Sequence, residues 1–88
     1  MRISRIILDK NFFESLRRLP LVLQKRAEKA QALLMENPFH PSLRLHKLSG
    51  NMEGLWSISI NRHYRILFEP LDDGDILFVS IGTHAIYD

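Results

Sequence analysis

The stretch that decides the fold covers residues 54–88 and reads GLWSISINRHYRILFEPLDDGDILFVSIGTHAIYD. Apolar residues occupy every second position in three successive runs, at 56–60, 64–68 and 77–81. Such period-two alternation of β-branched and aromatic residues is typical of strands buried on one face. Three runs in succession predict an antiparallel meander with a dry face and a more open face. The predicted dry-face residues are Trp56, Ile58, Ile60, Tyr64, Ile66, Phe68, Leu77, Val79 and Ile81.

The turns predict how the last two strands pair. Asp73-Gly74 is a strong signal for a two-residue hairpin turn, because a type I′ turn needs positive φ at both central positions. The facing pairs would then be Asp72 with Asp75, Phe68 with Val79, Leu67 with Ser80, Ile66 with Ile81, Arg65 with Gly82 and His63 with His84. A bulge could shift this register by one residue. Facing Cβ atoms lie about 5 Å apart, so Arg65 and His84 are expected to share one small ligand on the open face.

Size and composition limit the class of protein. The 88 residues, 45% hydrophobic and 25% charged, predict one folded domain spanning residues 1–88. The absence of cysteine rules out disulfides, thiolate metal sites and a cysteine nucleophile, and it suits a cytoplasmic protein. No run approaches the roughly 20 apolar residues of a membrane span. The start has no signal-peptide pattern, so neither secretion nor membrane association is expected.

Charge is distributed unevenly along the chain. Ten of the twelve Lys and Arg residues precede position 51, whereas six of the ten Asp and Glu residues follow it. A basic flank opposite an acidic hairpin tip suits an anionic partner such as nucleic acid. Solvated helix faces are also commonly rich in lysine, so charge alone leaves both interpretations open.

The first half of the chain predicts a strand followed by two helices. Residues 2–8 resemble an interior strand because the run ends in Ile-Ile-Leu, and Asp9 is suited to cap a helix over residues 10–19. Pro20 would begin a second helix that ends near Asn37-Pro38. The apolar stripes of the two helices are Phe12, Phe13, Leu16 and Leu19, then Leu23, Ala27, Ala30 and Leu34. The predicted fold is α+β, with the elements β-α-α-β-β-β in chain order and an αα-hairpin on the dry face of a small antiparallel sheet.

Few residues could carry chemistry. No phosphate loop, HExxH sequence or nucleophile elbow is present, so the candidates are Arg65 and the four histidines. A zinc site of His46, His63 and His84 is conceivable but lacks an obvious acidic neighbour, so no metal or cofactor is expected. His40 is interpreted as a surface residue. His63 could be one too.

Arg65 lies in mid-strand and points away from the predicted core. Its guanidinium offers five donors in a fixed fork, which suits phosphate or carboxylate. The alternative is a structural pair with Glu69 or with the terminal carboxylate. Tyr87 could stack on a base or pack the tail against the sheet.

Four short segments carry a family resemblance. They are Leu45-His46-Lys47-Leu48-Ser49-Gly50, the strand Trp56-Ser57-Ile58-Ser59-Ile60-Asn61, the strand Tyr64-Arg65-Ile66-Leu67-Phe68, and Ile81-Gly82-Thr83-His84. In this order and spacing the chain resembles the RelE/ParE superfamily of bacterial toxins over its whole length. His84 looks like the histidine of the Gly-Thr-His motif in YafQ-type members, and His46 like the histidine before Leu-x-Gly in that branch. Arg65 resembles the strand arginine of RelE. The chain departs from the YafQ pattern at Ser59 and His63, and from RelE at His84.

The resemblance implies a toxin of a type II toxin–antitoxin system that cleaves mRNA in the ribosomal A site without a metal. Its implied partners are the ribosome, the mRNA and a cognate antitoxin bound in a hetero-oligomer. The implied catalytic residues are His84 and Arg65, with His46 or His63 as the second acid or base. The implied RNA-binding residues are Lys47, Tyr87 and Arg44. A ParE-like inhibitor of DNA gyrase and a non-catalytic antitoxin-binding module are the alternatives.

Overall fold

The computed structural model describes residues 1–83, and within them two helices cover one face of a five-stranded sheet. The strands are β1 (Arg5–Leu8), β2 (His46–Lys47), β3 (Trp56–Ser59), β4 (Arg65–Pro70) and β5 (Asp75–Gly82). The helices are α1 (Lys10–Arg17) and α2 (Leu21–Glu36). The predicted α+β class is confirmed, and the two-residue strand β2 is an addition to the predicted order. No helix within residues 1–83 combines the length and apolarity that a membrane span needs.

The sheet order is β1-β5-β4-β3-β2, so β1 is an edge strand. The prediction of an interior position for it was wrong. β1 pairs in parallel only with β5, and its end residues Arg5 and Leu8 are exposed. The crossover through α1 and α2 allows this parallel pairing, because parallel neighbours need a connection long enough to return across the sheet. The Ile-Ile-Leu run therefore covers the edge of the core rather than its centre.

Helix α1 begins as the sequence predicts. The Asp9 carboxylate accepts a hydrogen bond from the Asn11 N–H at 2.9 Å, which satisfies one of the unpaired amides of the first turn. Phe12 is buried, whereas Phe13 is 48% exposed and lies beneath the Arg17 guanidinium, 5.8 Å from the ring centre. The placement of Phe13 on the buried stripe was thus wrong. Phe13 lies about 100° around the helix from Phe12, and that rotation turns it outward.

Helix α2 follows Pro20 and ends at Glu36, before Asn37-Pro38. Its buried residues are Ala27, Ala30 and Leu34, as the stripe predicts, while Leu23 is half-buried. Together with Phe12, α2 closes the core over Ile58, Ile66 and Phe68.

The β4–β5 hairpin departs from the prediction twice. Its loop has three residues, Asp72–Gly74, so Leu71 rather than Asp72 bonds opposite Asp75. A bulge at Val79 then adds one residue to β5, because Phe68 faces Phe78 while Leu67 faces Ser80. The two deviations cancel: Ile66 faces Ile81 and Arg65 faces Gly82, as predicted. Between the loop and the bulge the predicted faces were wrong. Phe78 is in the core and Leu77 is not.

Phe78 shows why the bulge is stabilising. Its ring meets Phe12 edge-on at 5.3 Å and lies 6.2 Å from Phe68. Aromatic pairs of this geometry add to the free energy of burial. A two-residue loop without a bulge would turn Phe78 to the open face and put the smaller Val79 in its place.

Candidate functional site

Arg65 lies at the start of β4, half-buried on the sheet face away from the helices, which the sequence predicted to be open. Ser57, Ser59 and Leu67 on that face are buried, so the prediction was wrong at those positions. Its Nη1 donates to the carbonyl oxygens of Asn61 at 2.9 Å, Tyr64 at 3.2 Å and Arg62 at 3.4 Å. These bonds fix the guanidinium over the β3–β4 turn. Within residues 1–83 no carboxylate pairs with it, so the alternative pair with Glu69 is not formed. The turn thus orients Arg65 while leaving its charge without a counter-ion in the described part of the chain.

The turn at residues 61–64 is built by Asn61. The Asn61 Oδ1 accepts hydrogen bonds from the amides of His63 at 2.9 Å and Tyr64 at 2.7 Å. Asparagine is favoured in turns because its side chain can bond the backbone two residues later. His63 is exposed in this turn, whereas the sequence predicted it within the strand. Its predicted partner His84 lies outside the described residues.

His46 lies on the same open face as Arg65. In the short edge strand β2 it faces Ser57, which in turn faces Leu67 on β4. His46 is exposed, and its Nδ1 is 3.3 Å from the carbonyl oxygen of Arg44. When Nδ1 carries the proton in this contact, Nε2 is left as an acceptor. The structure therefore brings His46 and Arg65 to one face, two strands apart.

Lys47 is not brought together with Arg65. It follows His46 in the strand and faces Trp56, so the two neighbours project to opposite sides of the sheet. Trp56 packs against the core, as predicted. Lys47 thus lies at the β2 edge on the helix side.

Gly82 faces Arg65, which confirms the predicted register at the site. His84 and Tyr87 lie outside the described residues, so their roles stay predictions. Within residues 1–83 no three His, Cys, Asp or Glu residues are grouped as metal ligands. The conceivable zinc set included His84 and is not tested by this finding.

Ser59 is a site residue that sequence reasoning missed. It faces Arg65 across β3 and β4, and its side chain is only 6% exposed. Its Oγ is buried and has no hydrogen-bond partner in the part of the chain that the structure describes. Buried hydroxyls normally have a partner, so this oxygen marks the face beside Arg65 as a place suited to a polar ligand.

A cavity of about 520 Å³ lies on the other side of the same turn. It is bounded by α2, the 41–44 segment and the end of β3. Among residues 1–83, four cationic residues and no acidic residue line it, and the cations are Arg26, Lys29, Arg44 and Arg62. The sequence placed Arg44 near RNA but offered no reason to group it with the other three, because they come from separate segments of the chain.

His40 has a local structural role. Its Nδ1 accepts a hydrogen bond from the Ser42 amide at 3.2 Å and lies 2.9 Å from the Ser42 Oγ. These contacts cap the short 3₁₀ turn Pro41–Leu43, which leads into β2. Arg44 follows with φ at 48°, a left-handed conformation that redirects the chain towards His46.

Comparisons with known proteins bear on the fold and the family. A family model described as a ParE-like toxin domain matches residues 22–88. The structure of a YoeB/ParE toxin from Agrobacterium tumefaciens gives a TM-score of 0.76 at 15% identity, covering 92% of this chain and 99% of that one. YafQ from E. coli strain BL21(DE3) gives 0.73 at 19% identity, covering 99% and 98%.

A heterotetrameric YoeB-YefM toxin-antitoxin complex from Staphylococcus aureus contains a chain that gives a TM-score of 0.72 at 22% identity, covering 96% of this chain and 99% of that one. No match was found among curated proteins. At these identities the structural likeness establishes the fold.

Proposed function

Because the chain belongs to the ParE-like toxin domain family of the RelE/ParE superfamily, we propose that it cleaves mRNA in the ribosomal A site. The observation that carries this proposal is the Arg65 guanidinium, which the turn carbonyls orient and no carboxylate within residues 1–83 neutralises. His46 lies on the same face, and Gly82 opposite Arg65 leads directly to Thr83 and His84.

The proposed chemistry is a transesterification. The 2′-oxygen of a ribose attacks the adjacent phosphorus, the bond to the 5′-oxygen breaks, and a 2′,3′-cyclic phosphate forms. One group removes the proton of the 2′-hydroxyl, and another gives a proton to the departing 5′-oxygen. His84 takes one of these roles, and His46 or His63 takes the other. No metal enters these steps.

Arg65 stabilises the charge that builds up on the phosphoryl oxygens. Its Nη1 is occupied by three carbonyl oxygens, which leaves Nε and Nη2 to donate to the phosphate. A donor held in place before the reaction needs no reorganisation as charge develops, and this is the usual source of electrostatic catalysis.

The proposed partner is a cognate antitoxin. The S. aureus YoeB chain is described in complex with the antitoxin YefM, and by analogy this chain would form a hetero-oligomer with its own antitoxin in the cytoplasm. The proposed RNA contacts beyond the catalytic groups are Arg44, Lys47 and Tyr87.

The test is primer extension on an mRNA translated in a reconstituted system, with the wild type, His84→Ala and Arg65→Ala. We expect cuts that require ribosomes. We expect His84→Ala to cleave about 10²–10⁴-fold more slowly and Arg65→Ala about 10²–10³-fold more slowly. Arg18→Ala serves as the control because it removes one exposed charge at the C-terminal end of α1 and should cleave at the wild-type rate.

If His84→Ala or Arg65→Ala cleaves at the wild-type rate, the catalytic role proposed for that residue is wrong. Inhibition of gyrase supercoiling without RNA cleavage would instead identify a ParE-like gyrase inhibitor. Antitoxin binding with neither activity would identify a binding module.

A further inference from the structure

The cavity beside the β3–β4 turn has the size of a ligand site. We call it the basic pocket and define it by its cationic residues Arg26, Lys29, Arg44 and Arg62. Its volume of about 520 Å³ lies within the range of about 300–1,000 Å³ in which small-molecule sites fall. Nothing in the proposed reaction uses it.

The charges around the basic pocket are unbalanced. Arg26 and Lys29 project from one face of α2, while Arg44 and Arg62 come from two loops. Across residues 1–83 none of the four forms an ion pair, and the one salt bridge found there joins Arg5 to Asp75 at the opposite end of the sheet. Like charges held around a cavity repel one another, and an anion in the cavity relieves that repulsion.

The floor of the basic pocket is apolar. Ala30, Leu33, Leu43 and Ile60 line it together with the cations. Inorganic phosphate alone would leave this floor uncovered, whereas a nucleotide offers a base for the floor and a phosphate for the cations. Ser59 also lines the same cavity. β2 pairs with Trp56 and Ser57, and within residues 1–83 no strand pairs with this edge of β3 at Ser59.

The basic pocket and the candidate catalytic site share the turn. Asn61 and Arg62 line the pocket, and their carbonyl oxygens accept the hydrogen bonds that orient Arg65. A strand whose phosphate reaches Arg65 can therefore continue over the turn into the pocket. We propose that the basic pocket holds one nucleotide of single-stranded RNA, with its base on the apolar floor and its phosphate among the four cations. This inference rests on the proposed function, because RNA is the substrate assumed there.

The test measures RNA binding without cleavage. The probe is a fluorescein-labelled eight-nucleotide RNA with 2′-O-methyl riboses, which removes the attacking hydroxyl, and fluorescence anisotropy gives its affinity across a range of salt concentrations. For Lys29→Ala and Arg62→Ala we expect about fivefold weaker binding at 0.1 M salt and a salt slope reduced by about 0.7 for each lost phosphate contact.

Lys25→Ala is the matched control, because Lys25 is exposed on α2 and does not line the pocket. Its salt slope should equal that of the wild type. Urea unfolding of each variant checks that the fold is intact. If Lys29→Ala and Arg62→Ala bind the probe as Lys25→Ala does, the proposal is wrong.

The two proposals fail differently. If the wild type cuts no mRNA while the pocket variants still lose RNA binding, the proposed function fails and the RNA pocket stands. If the wild type cuts mRNA and the pocket variants bind the probe normally, the pocket proposal alone fails. If Lys29→Ala weakens antitoxin binding but not probe binding, the occupant is an acidic protein segment and the RNA proposal is overturned.

Discussion

The two halves of the β4–β5 hairpin use charge in opposite ways. The tip half comprises residues 68–78 and the base half comprises residues 65–67 with 80–82. At the tip, the Arg5 guanidinium bonds the Asp75 carboxylate at 2.8 Å, and the Ser4 amide bonds the Gly74 carbonyl at 2.9 Å. At the base, Arg65 bonds only backbone carbonyls among the described residues. Polar groups at the tip therefore attach β1 to the hairpin. At the base, the Arg65 guanidinium has no counter-ion among residues 1–83.

The bulge at Val79 separates the two halves. It lets Phe78 enter the core at the tip while Ile81 enters it at the base, although the two are an odd number of residues apart. Side chains alternate between faces along a regular strand, so only an extra residue can put both inside. The bulge thereby lets Gly82 face Arg65 although the hairpin loop has three residues.

The largest expected effect comes from one of two matched deletions in β5. Deleting Leu77 places Phe78 opposite Glu69 on the open face and leaves Val79 to fill the aromatic site. We expect a loss of about 3 kcal/mol in the free energy of unfolding, as for other large-to-small changes in a core. Deleting Val79 removes only the bulge and keeps every facing pair, so it should cost about 1 kcal/mol or less.

Urea unfolding measures the free energy of unfolding of the two deletion variants. Leu77 and Val79 are a fair pair because both are half-buried apolar residues of β5. Equal losses of stability in the two variants would contradict the role assigned to the bulge.

The same hairpin shows how far the sequence predicts the fold. Alternation predicted the three strands and the Asp73-Gly74 dipeptide predicted a turn, because both signals are local. A bulge leaves no comparable local signal: Phe78 and Val79 are both apolar, and only the ring of Phe12 on α1 decides which of them enters the core. The error in loop length and the missed bulge compensated, so the predicted pairing of Arg65 with Gly82 was correct.

Substitution of Gly74 tests the attachment of β1 at the tip. Gly74 has a φ of 83°, and a Cβ there would lie 2.8 Å from the Ser4 Oγ and 3.2 Å from the Arg2 carbonyl oxygen. Gly74→Ala should lower the free energy of unfolding by about 2 kcal/mol, from the left-handed backbone together with the displaced β1.

Gly50→Ala is the control for Gly74→Ala. Gly50 also has positive φ, at 64°, but its Cβ would meet nothing within 4 Å. It should cost about 1 kcal/mol, from the backbone alone. A Gly74→Ala loss no greater than that of Gly50→Ala in urea unfolding would mean that β1 is not held tightly at the tip.

The smallest expected effect concerns the ion pair of the tip. The Arg5 side chain is 70% exposed, and exposed pairs of this kind contribute about 0.5 kcal/mol. Asp75→Asn should lower the unfolding free energy by that amount at low salt, and the loss should disappear in 1 M NaCl, where the Debye length is about 3 Å. Asp73→Asn, which removes a neighbouring carboxylate with no ion pair in residues 1–83, should not lower it at all. A loss that persists in 1 M NaCl would point to a role of Asp75 other than charge pairing.

The site was predictable in part. Arg65 stood out because the alternation points its guanidinium, which suits phosphate or carboxylate, away from the core, and His46 because of the family resemblance. The hydrogen bonds of Arg65 to the turn carbonyls, the buried Ser59 hydroxyl and the basic pocket were not predictable. The basic pocket depends on how α2, the 41–44 segment and the β3–β4 turn meet in space, which no residue spacing in the sequence indicates. The Arg65 bonds depend on the conformation of residues 61–65.

The parallel pairing of β1 with β5 also sets the order in which the protein can fold. Arg5 faces Asp75 and Leu8 faces Phe78, so the sheet joins segments separated by nearly the whole described chain. Contacts of such long sequence separation form slowly, because the entropy of closing the intervening chain is lost before the contacts stabilise it. During synthesis, β1 has no strand to pair with until residues 75–78 have been made. The hairpin that carries Arg65 is completed at the same stage, so the pairing of β1 and the surroundings of Arg65 form together.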